Sequence, residues 1–348
     1  MPSPLPRHRL AGALLSIAGL TALLYAIIEA PTHGWTAPVT VGGFAVGVAV
    51  LAAFAWWELR SDHPMLDLRL FRNPALSAAS LSIALVFFAM FGMFFALTQY
   101  LQFALGYSPL GAGLRTLPFP LTLMVLAPRS ARLVERAGPR AVVTVGLATV
   151  AAGLALLSTV DLDTGYPLIA ASLVAVAAGM ALTSVPATTS IMASVPPGKA
   201  GVGSAVNDTT RELGGALGVA VLGSVLVSRY ATVLGDALGD AAGGALAQLP
   251  DGAAAAARSS LGAALAVAAE AGGEQGAALA DAARTAFVGG MSGALRIGAA
   301  VALVAALLVA RHLPARAGRP AGRPSERAAP AVAVPDRRDD PAPVPEAT

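Results

Sequence analysis

Charge-poor runs of some twenty residues recur along this chain, and no other feature constrains its folding as strongly. A helix rises about 1.5 Å per residue, so about 20 apolar residues cross the hydrocarbon core of a bilayer. Eight such runs can be marked: 10–28, 37–57, 75–97, 111–127, 141–160, 167–192, 200–227 and 286–310. A transmembrane barrel would show runs of about ten residues alternating in polarity. The pattern therefore predicts an all-α polytopic membrane protein with eight transmembrane helices. Composition agrees, since 56% of the 348 residues are hydrophobic and 12% charged, about half the charge of a soluble domain. That excludes a soluble globular enzyme, and also a chain disordered throughout, which needs low hydrophobicity and high net charge. Cysteine is absent, so disulfides, thiol catalysis and cysteine-based zinc sites are excluded.

The basic residues set an orientation. Arg7 and Arg9 precede the first run, which exceeds the roughly 7–15 apolar residues of a signal-peptide core and reads as a retained helix. With the N-terminus inside, seventeen of the 23 Lys and Arg residues fall on the inner side, and only Arg229, Arg258 and Arg284 outside. This is the asymmetry of the positive-inside rule, and it predicts a multi-pass protein of the cell's inner membrane with both termini cytoplasmic. The net charge of +3 thus reflects topology and calls for no nucleic acid. All three Trp and all five Tyr residues lie near run ends, where an aromatic belt would place them. The resulting plan has two helices in 1–60, a cytoplasmic loop at 61–74 and six helices in 75–310. An outer loop at 230–284 joins the last two of these, and 311–348 is expected to be a disordered cytoplasmic tail. The outer loop is rich in Ala and Gly and suits either short amphipathic helices or loose chain.

Ionisable groups within a membrane are costly and are functional candidates by default. The densest cluster is Asn207-Asp208-Thr209-Thr210-Arg211-Glu212 in the seventh run. Asp208, Arg211 and Glu212 have the spacing that shares one helix face. Helical rise puts Asp208 about 13 Å and Glu212 about 20 Å from Lys199. Two readings stand: a protonatable carboxylate whose affinity depends on access, or a fixed ion pair pinning two helices. Asn207 is a cavity-facing candidate beside them. Arg115, close to Pro118 and Pro120, either faces a cavity or snorkels to the outer surface. Arg296 lies too deep in the last run for that and should face protein or water. Gly214 and Gly218 form a G-x-x-x-G, a spacing that lets helix backbones approach closely. The four histidines lie outside the runs, so no metal site is expected. No phosphate loop, Ser-His-Asp set or dinucleotide fingerprint occurs, which argues against an enzyme and against a cofactor.

Residues 128–140, Pro-Arg-Ser-Ala-Arg-Leu-Val-Glu-Arg-Ala-Gly-Pro-Arg, resemble the G-R-L-x-D-R-x-G-x-R loop of the major facilitator superfamily. Ala131 stands where glycine is usual and Glu135 where aspartate is. Residues 99–113 upstream and 195–223 downstream are similar to the C-terminal half of the fourteen-helix drug:proton antiporters of EmrB/QacA type, so the resemblance covers about 68–230. It implies that the first two runs are the linker helices inserted between two six-helix halves. The other six runs would form the C-terminal half-bundle. The implied function is proton-coupled, multidrug-type efflux, with the substrate site between the halves. This chain would supply one wall of that site and be incomplete alone. The implied partners are the lipid bilayer, protons and an amphipathic small-molecule substrate, with either a separately encoded N-terminal half or, if the chain is a truncated product, no such partner. On this reading Asp208, Arg211 and Glu212 are the coupling set, and Arg132, Glu135, Arg136, Gly138 and Arg140 form a gating network at the inner loop. The alternative is a structural or assembly membrane protein that does not transport.

Overall fold

The computed structural model describes residues 7–61, 64, 66–196, 200–240 and 251–312. Its elements are helices: α1 (Arg7–His33), α2 (Pro38–Arg60), α3 (Pro74–Gln99), α4 (Pro109–Thr116), α5 (Pro118–Leu157), α6 (Tyr166–Ser194), α7 (Ala200–Asp240), α8 (Asp251–Ser259), α9 (Leu261–Ala271) and α10 (Gly273–His312). A 3₁₀ turn at Leu68–Arg72 leads into α3, and a π turn at Tyr100–Ala104 follows it. Local chemistry marks several starts. Asn73 accepts the Ala75 N–H at 3.0 Å ahead of Pro74, and Ser108 accepts the Gly111 N–H at 3.1 Å ahead of Pro109. Each pairs a capping side chain with a proline in the first turn, where its missing N–H costs nothing.

Seven helical stretches are long and apolar enough to cross a membrane. The expected eight differ by one because the fourth and fifth runs lie in a single stretch, Pro109–Leu157. Within it α5 is two helices meeting at a kink, where Gly138 has φ 80° and ψ 157°. Only glycine adopts that region freely, so the break is written into the residue type. The helices carry large apolar side chains on their outer faces, such as Leu307 at 61% exposed and Ile17 at 62%. In water such belts would be a liability; against lipid tails they are already in a matching solvent.

Burial follows from close approach. Tyr100, Leu101, Leu147, Leu154 and Phe287 are fully buried among α3, the π turn, α5, α6 and α10. Lipid gives helices no hydrophobic reason to associate, so fine packing between small residues carries the assembly. A Cβ placed on Gly214 would run into the Ala84 carbonyl of α3, and one on Gly218 into the Phe88 carbonyl. Gly92 reciprocates from α3, with a Cβ position only 2.8 Å from the Gly218 carbonyl oxygen. The α5–α6 pair repeats the device: a Cβ on Gly146 would sit 2.8 Å from the Gly179 carbonyl oxygen, and one on Gly153 2.9 Å from the Val176 nitrogen.

The α1–α2 hairpin is docked on α7. In an unbroken α1 the Ile27 carbonyl would accept the N–H of residue 31, but Pro31 has none. Ser224 of α7 donates its hydroxyl to that carbonyl at 2.7 Å, and one turn further Trp35 Nε1 donates to Ser228 Oγ at 3.2 Å. The Ala/Gly-rich stretch after Tyr230 is helical where described, apart from the junctions at Ser260 and Gly272. It comprises the end of α7, then α8 and α9, then the start of α10. The Tyr230 hydroxyl donates to the Ala257 carbonyl at 2.8 Å and ties α7 to α8. Residues 241–250, Lys199 and the tail from 313 lie outside the described residues.

Candidate functional site

The sequence cluster on α7 is organised by a residue on α6. Thr188 Oγ1 donates to Asn207 Oδ1 at 3.0 Å and accepts from Arg211 Nη2 at 3.3 Å. Asn207 Nδ2 in turn donates to Asp208 Oδ1 at 3.2 Å, and Ser204 Oγ lies 3.5 Å from Asp208 Oδ2. Cation and carboxylate are thus joined through two intervening side chains, Arg211 to Thr188 to Asn207 to Asp208. Neither Asp208 nor Glu212 comes within ion-pairing distance of Arg211 among the described residues. The fixed ion pair is therefore not what holds α7 here.

The helical wheel separates these groups. Arg211 turns toward α6 and α3, where its guanidinium carbon lies 5.3 Å from the centre of the Phe87 ring. Its Nε is buried and makes no hydrogen bond. Asn207 is buried at 6% exposed. Asp208 and Glu212 instead project from the exposed face of α7, one turn apart. An arginine with an orphaned buried donor beside an outward carboxylate is a costly arrangement. It can hold charge next to a dehydrated surface, and a second polar group brought against that surface would complete it.

The other candidates are placed elsewhere. Arg115 ends the short helix α4 instead of sitting in the following span. Its guanidinium lies 3.6 Å from the Tyr107 ring centre and donates to the Gly111 carbonyl at 3.1 Å, and Tyr166 Oη donates to the Arg115 backbone carbonyl at 3.1 Å. Pro118 and Pro120 open α5 in its first turn, where they start the helix. Arg296 lies mid-way along α10, exposed, with no ion pair among the described residues. Arg132, Glu135, Arg136 and Arg140 are exposed around the Gly138 kink and make no ion pairs with one another. Arg132, Glu135 and Arg136 lie on helix, not loop, because helical geometry persists as far as Gly138.

Sequence reasoning missed Thr188, Phe87 and Glu58. Thr188 is one of several hydroxyl residues on α6, and nothing in its neighbours marks it as the one facing α7; only the crossing of the helices does. Glu58, near the C-terminal end of α2, is 3% exposed, and its Oε2 accepts the Leu66 N–H at 3.0 Å. Its other oxygen lies against Gly12 of α1, where any side chain would displace it. Among the described residues no group of three or more His, Cys, Asp or Glu could hold a metal ion.

Comparison with known proteins adds relatives. The chain is 38% identical over 228 residues to the multidrug resistance protein Stp of Mycobacterium tuberculosis, covering 66% of this chain and 42% of that protein. It is 32% identical over 295 residues to the tetracenomycin C resistance and export protein of Streptomyces glaucescens, covering 85% and 54%. It is also 32% identical over 296 residues to the multidrug efflux pump LfrA of Mycolicibacterium smegmatis, covering 85% and 57%. The matched region thus spans about half the length of these curated relatives. Residues 7–219 match the Major Facilitator Superfamily. With its membrane-crossing helices, the 128–140 motif and these relatives, the chain belongs to that superfamily of membrane transporters.

Proposed function

We propose that this chain is the C-terminal portion of a fourteen-helix, proton-coupled multidrug efflux transporter. In this reading α1 and α2 are the two linker helices. Counting the two arms of α5 apart, the six membrane passages from α3 to α10 form one half-bundle. Both termini face the cytoplasm of an inner membrane, on the side where the basic residues concentrate. The chain works with an N-terminal half, in the same polypeptide or a separate one, and the amphipathic substrate binds between the two.

The observation that carries the reading is the link from Arg211 through Thr188 and Asn207 to an outward-facing Asp208. An ionised Asp208 accepts from Asn207 and holds the Asn207 amide with its oxygen turned to Thr188. Protonation weakens that acceptor and loosens the Asn207–Thr188 tie between α7 and α6. The proton then biases how the two helices sit, which is what coupling through a shift of populations requires. The orphaned Nε of Arg211 and the exposed Glu212 suit a surface that meets the other half or the substrate. The exposed Arg132, Glu135, Arg136 and Arg140 are left for inter-half contacts at the inner side. Arg296 and Asn207 are polar groups of the cavity wall, and Arg115 belongs to its outer margin.

The test is reconstitution into proteoliposomes with an imposed proton gradient and a fluorescent cationic dye. The chain alone should give no gradient-driven dye movement, and the chain combined with its N-terminal half should give it. In the combined form Asp208→Asn and Thr188→Val should each abolish coupling with membrane insertion retained, and Thr188→Ser should keep it. Gradient-driven transport by the lone chain, or full coupling in Asp208→Asn, overturns the reading. Loss of insertion in Asp208→Asn favours a structural role instead.

A further inference from the structure

A second polar site lies at the opposite end of α7, beyond its apolar run. Here α7 crosses α10 closely enough that a Cβ on Gly290 would sit 2.8 Å from the Leu226 carbonyl oxygen. Just beside the crossing, Ser228, Arg229, Thr232, Val233 and Gly289 line a pocket of about 340 Å³. Gly289 meets nothing within 4 Å and leaves the pocket floor open. The Arg229 side chain lies across Gly293 of α10: a Cβ there would be 2.5 Å from its Cδ and 2.8 Å from both Nε and Nη1. The absent side chain at 293 is the seat that holds this guanidinium beside the pocket.

The cation is not neutralised from within. Among the described residues Arg229 forms no ion pair; Glu29, at the end of α1, lies 3.5 Å from His33 Nδ1, an ion pair only when that histidine is protonated, and Asp236, two turns on along α7, pairs with nothing. Of the neighbouring hydroxyls, Thr232 Oγ1 donates to the Ser228 carbonyl at 3.0 Å, while Ser228 Oγ accepts from Trp35 and keeps its own proton to donate. The guanidinium donors and the Ser228 hydroxyl are the free recognition elements, and a planar fork suits phosphate oxygens. Depth indicates the source. Arg229 follows directly on the apolar run 200–227, and the Trp35 indole anchored to Ser228 is 41% exposed, the position of an interfacial tryptophan at headgroup level. Val233 on the rim, 39% exposed, offers an apolar edge to an acyl chain.

We propose that the pocket between α7 and α10 at Arg229 binds a phosphate group, supplied by the headgroup of an anionic phospholipid of the outer leaflet. The site is remote from Asp208 along α7, and its binding readout does not depend on the transport reading; only the choice of leaflet rests on the orientation proposed above.

The experiment is thermal unfolding of the purified full chain in detergent, titrated with phosphatidylglycerol, with phosphatidylcholine and with inorganic phosphate. Phosphatidylglycerol should stabilise the wild type in a saturable way, more strongly than either of the others. Arg229→Gln should weaken that binding about ten-fold, the usual effect of losing a charge-assisted hydrogen bond. Gly293→Ala keeps the charge but evicts the side chain from its seat, and should weaken binding as well. Arg258→Gln, an outer arginine away from the pocket, should leave it unchanged. Equal stabilisation by inorganic phosphate would overturn the lipid as source. Undiminished phosphatidylglycerol binding in both Arg229→Gln and Gly293→Ala would overturn the site itself.

Discussion

Replacing Gly214 and Gly218 by alanine should separate α7 from α3. A Cβ at 214 would sit 2.8 Å from the Ala84 Cα and one at 218 2.8 Å from the Phe88 Cα, with a backbone carbonyl closer still. Carbon atoms rest at about 3.5–4.0 Å, so each methyl demands a shift of about 1 Å between two backbones that have no flexible end to give way. Overpacking of this kind costs about 1–3 kcal/mol. Alanine also favours a helix by about 0.5–1 kcal/mol over glycine, so the net loss per site should be about 0.5–2 kcal/mol. Gly235 of the same helix supplies the control, because a Cβ there meets nothing within 4 Å; Gly235→Ala should be neutral or stabilising. Denaturant- or heat-induced unfolding of the purified chain in detergent reads all three. If Gly218→Ala is as stable as Gly235→Ala, the close α3–α7 approach is wrong.

Three further outcomes follow from single contacts. Ser224→Ala should destabilise the chain by about 0.6–1 kcal/mol, the worth of a buried interhelical hydrogen bond in a membrane. In a Pro31→Ala background the Ile27 carbonyl regains a partner within its own helix, so the Ser224→Ala cost should shrink, and additive effects in the double-mutant cycle would refute the docking account. Gly138→Ala should cost about 1–3 kcal/mol, since φ 80° with ψ 157° is a region open essentially to glycine alone; unchanged unfolding in Gly138→Ala would remove the kink. Between α5 and α6, the Thr164 hydroxyl bonded to Asp161 at 2.6 Å holds that carboxyl below the usual carboxylate range. A lowered folded-state value stabilises the turn above the ordinary carboxylate range, and that contribution fades as pH falls through the folded value. In Thr164→Val the Asp161 midpoint should therefore rise toward the ordinary carboxylate value and its contribution to stability should shrink, read by carbon-13 titration of Asp161; an unmoved midpoint would deny the hydroxyl its role.

Much of the site was legible as residue types and little of it as geometry. Asp208, Arg211 and Glu212 stand out because charge inside an apolar run is expensive wherever it points. Spacing alone suggested one shared face and a direct pair. The structure instead sends Arg211 toward α6 and leaves both acids exposed, because a residue three positions on is rotated away by about a sixth of a turn and a neighbouring helix occupies that side. Thr188 carries no such signal: a hydroxyl within a membrane helix usually bonds to its own backbone, as Ser190 does to the Pro186 carbonyl at 2.8 Å. Glu58 adjoins Arg60 at the end of a run and reads as an interfacial charge, although α1 and the following turn bury it.

By itself the sequence determined that the chain is helical and lives in a membrane, because twenty-residue apolar runs have few other stable states. It also carried the glycines for close approach and the glycine for the Gly138 break, since those depend on one residue's own shape. The tertiary structure alone decided partners. Which carbonyl Gly218 meets, which hydroxyl takes up the carbonyl that Pro31 frees, and whether Arg211 finds Asp208 or Thr188 all depend on how helices cross. A crossing angle is set by two surfaces fitting together, and neither run contains it.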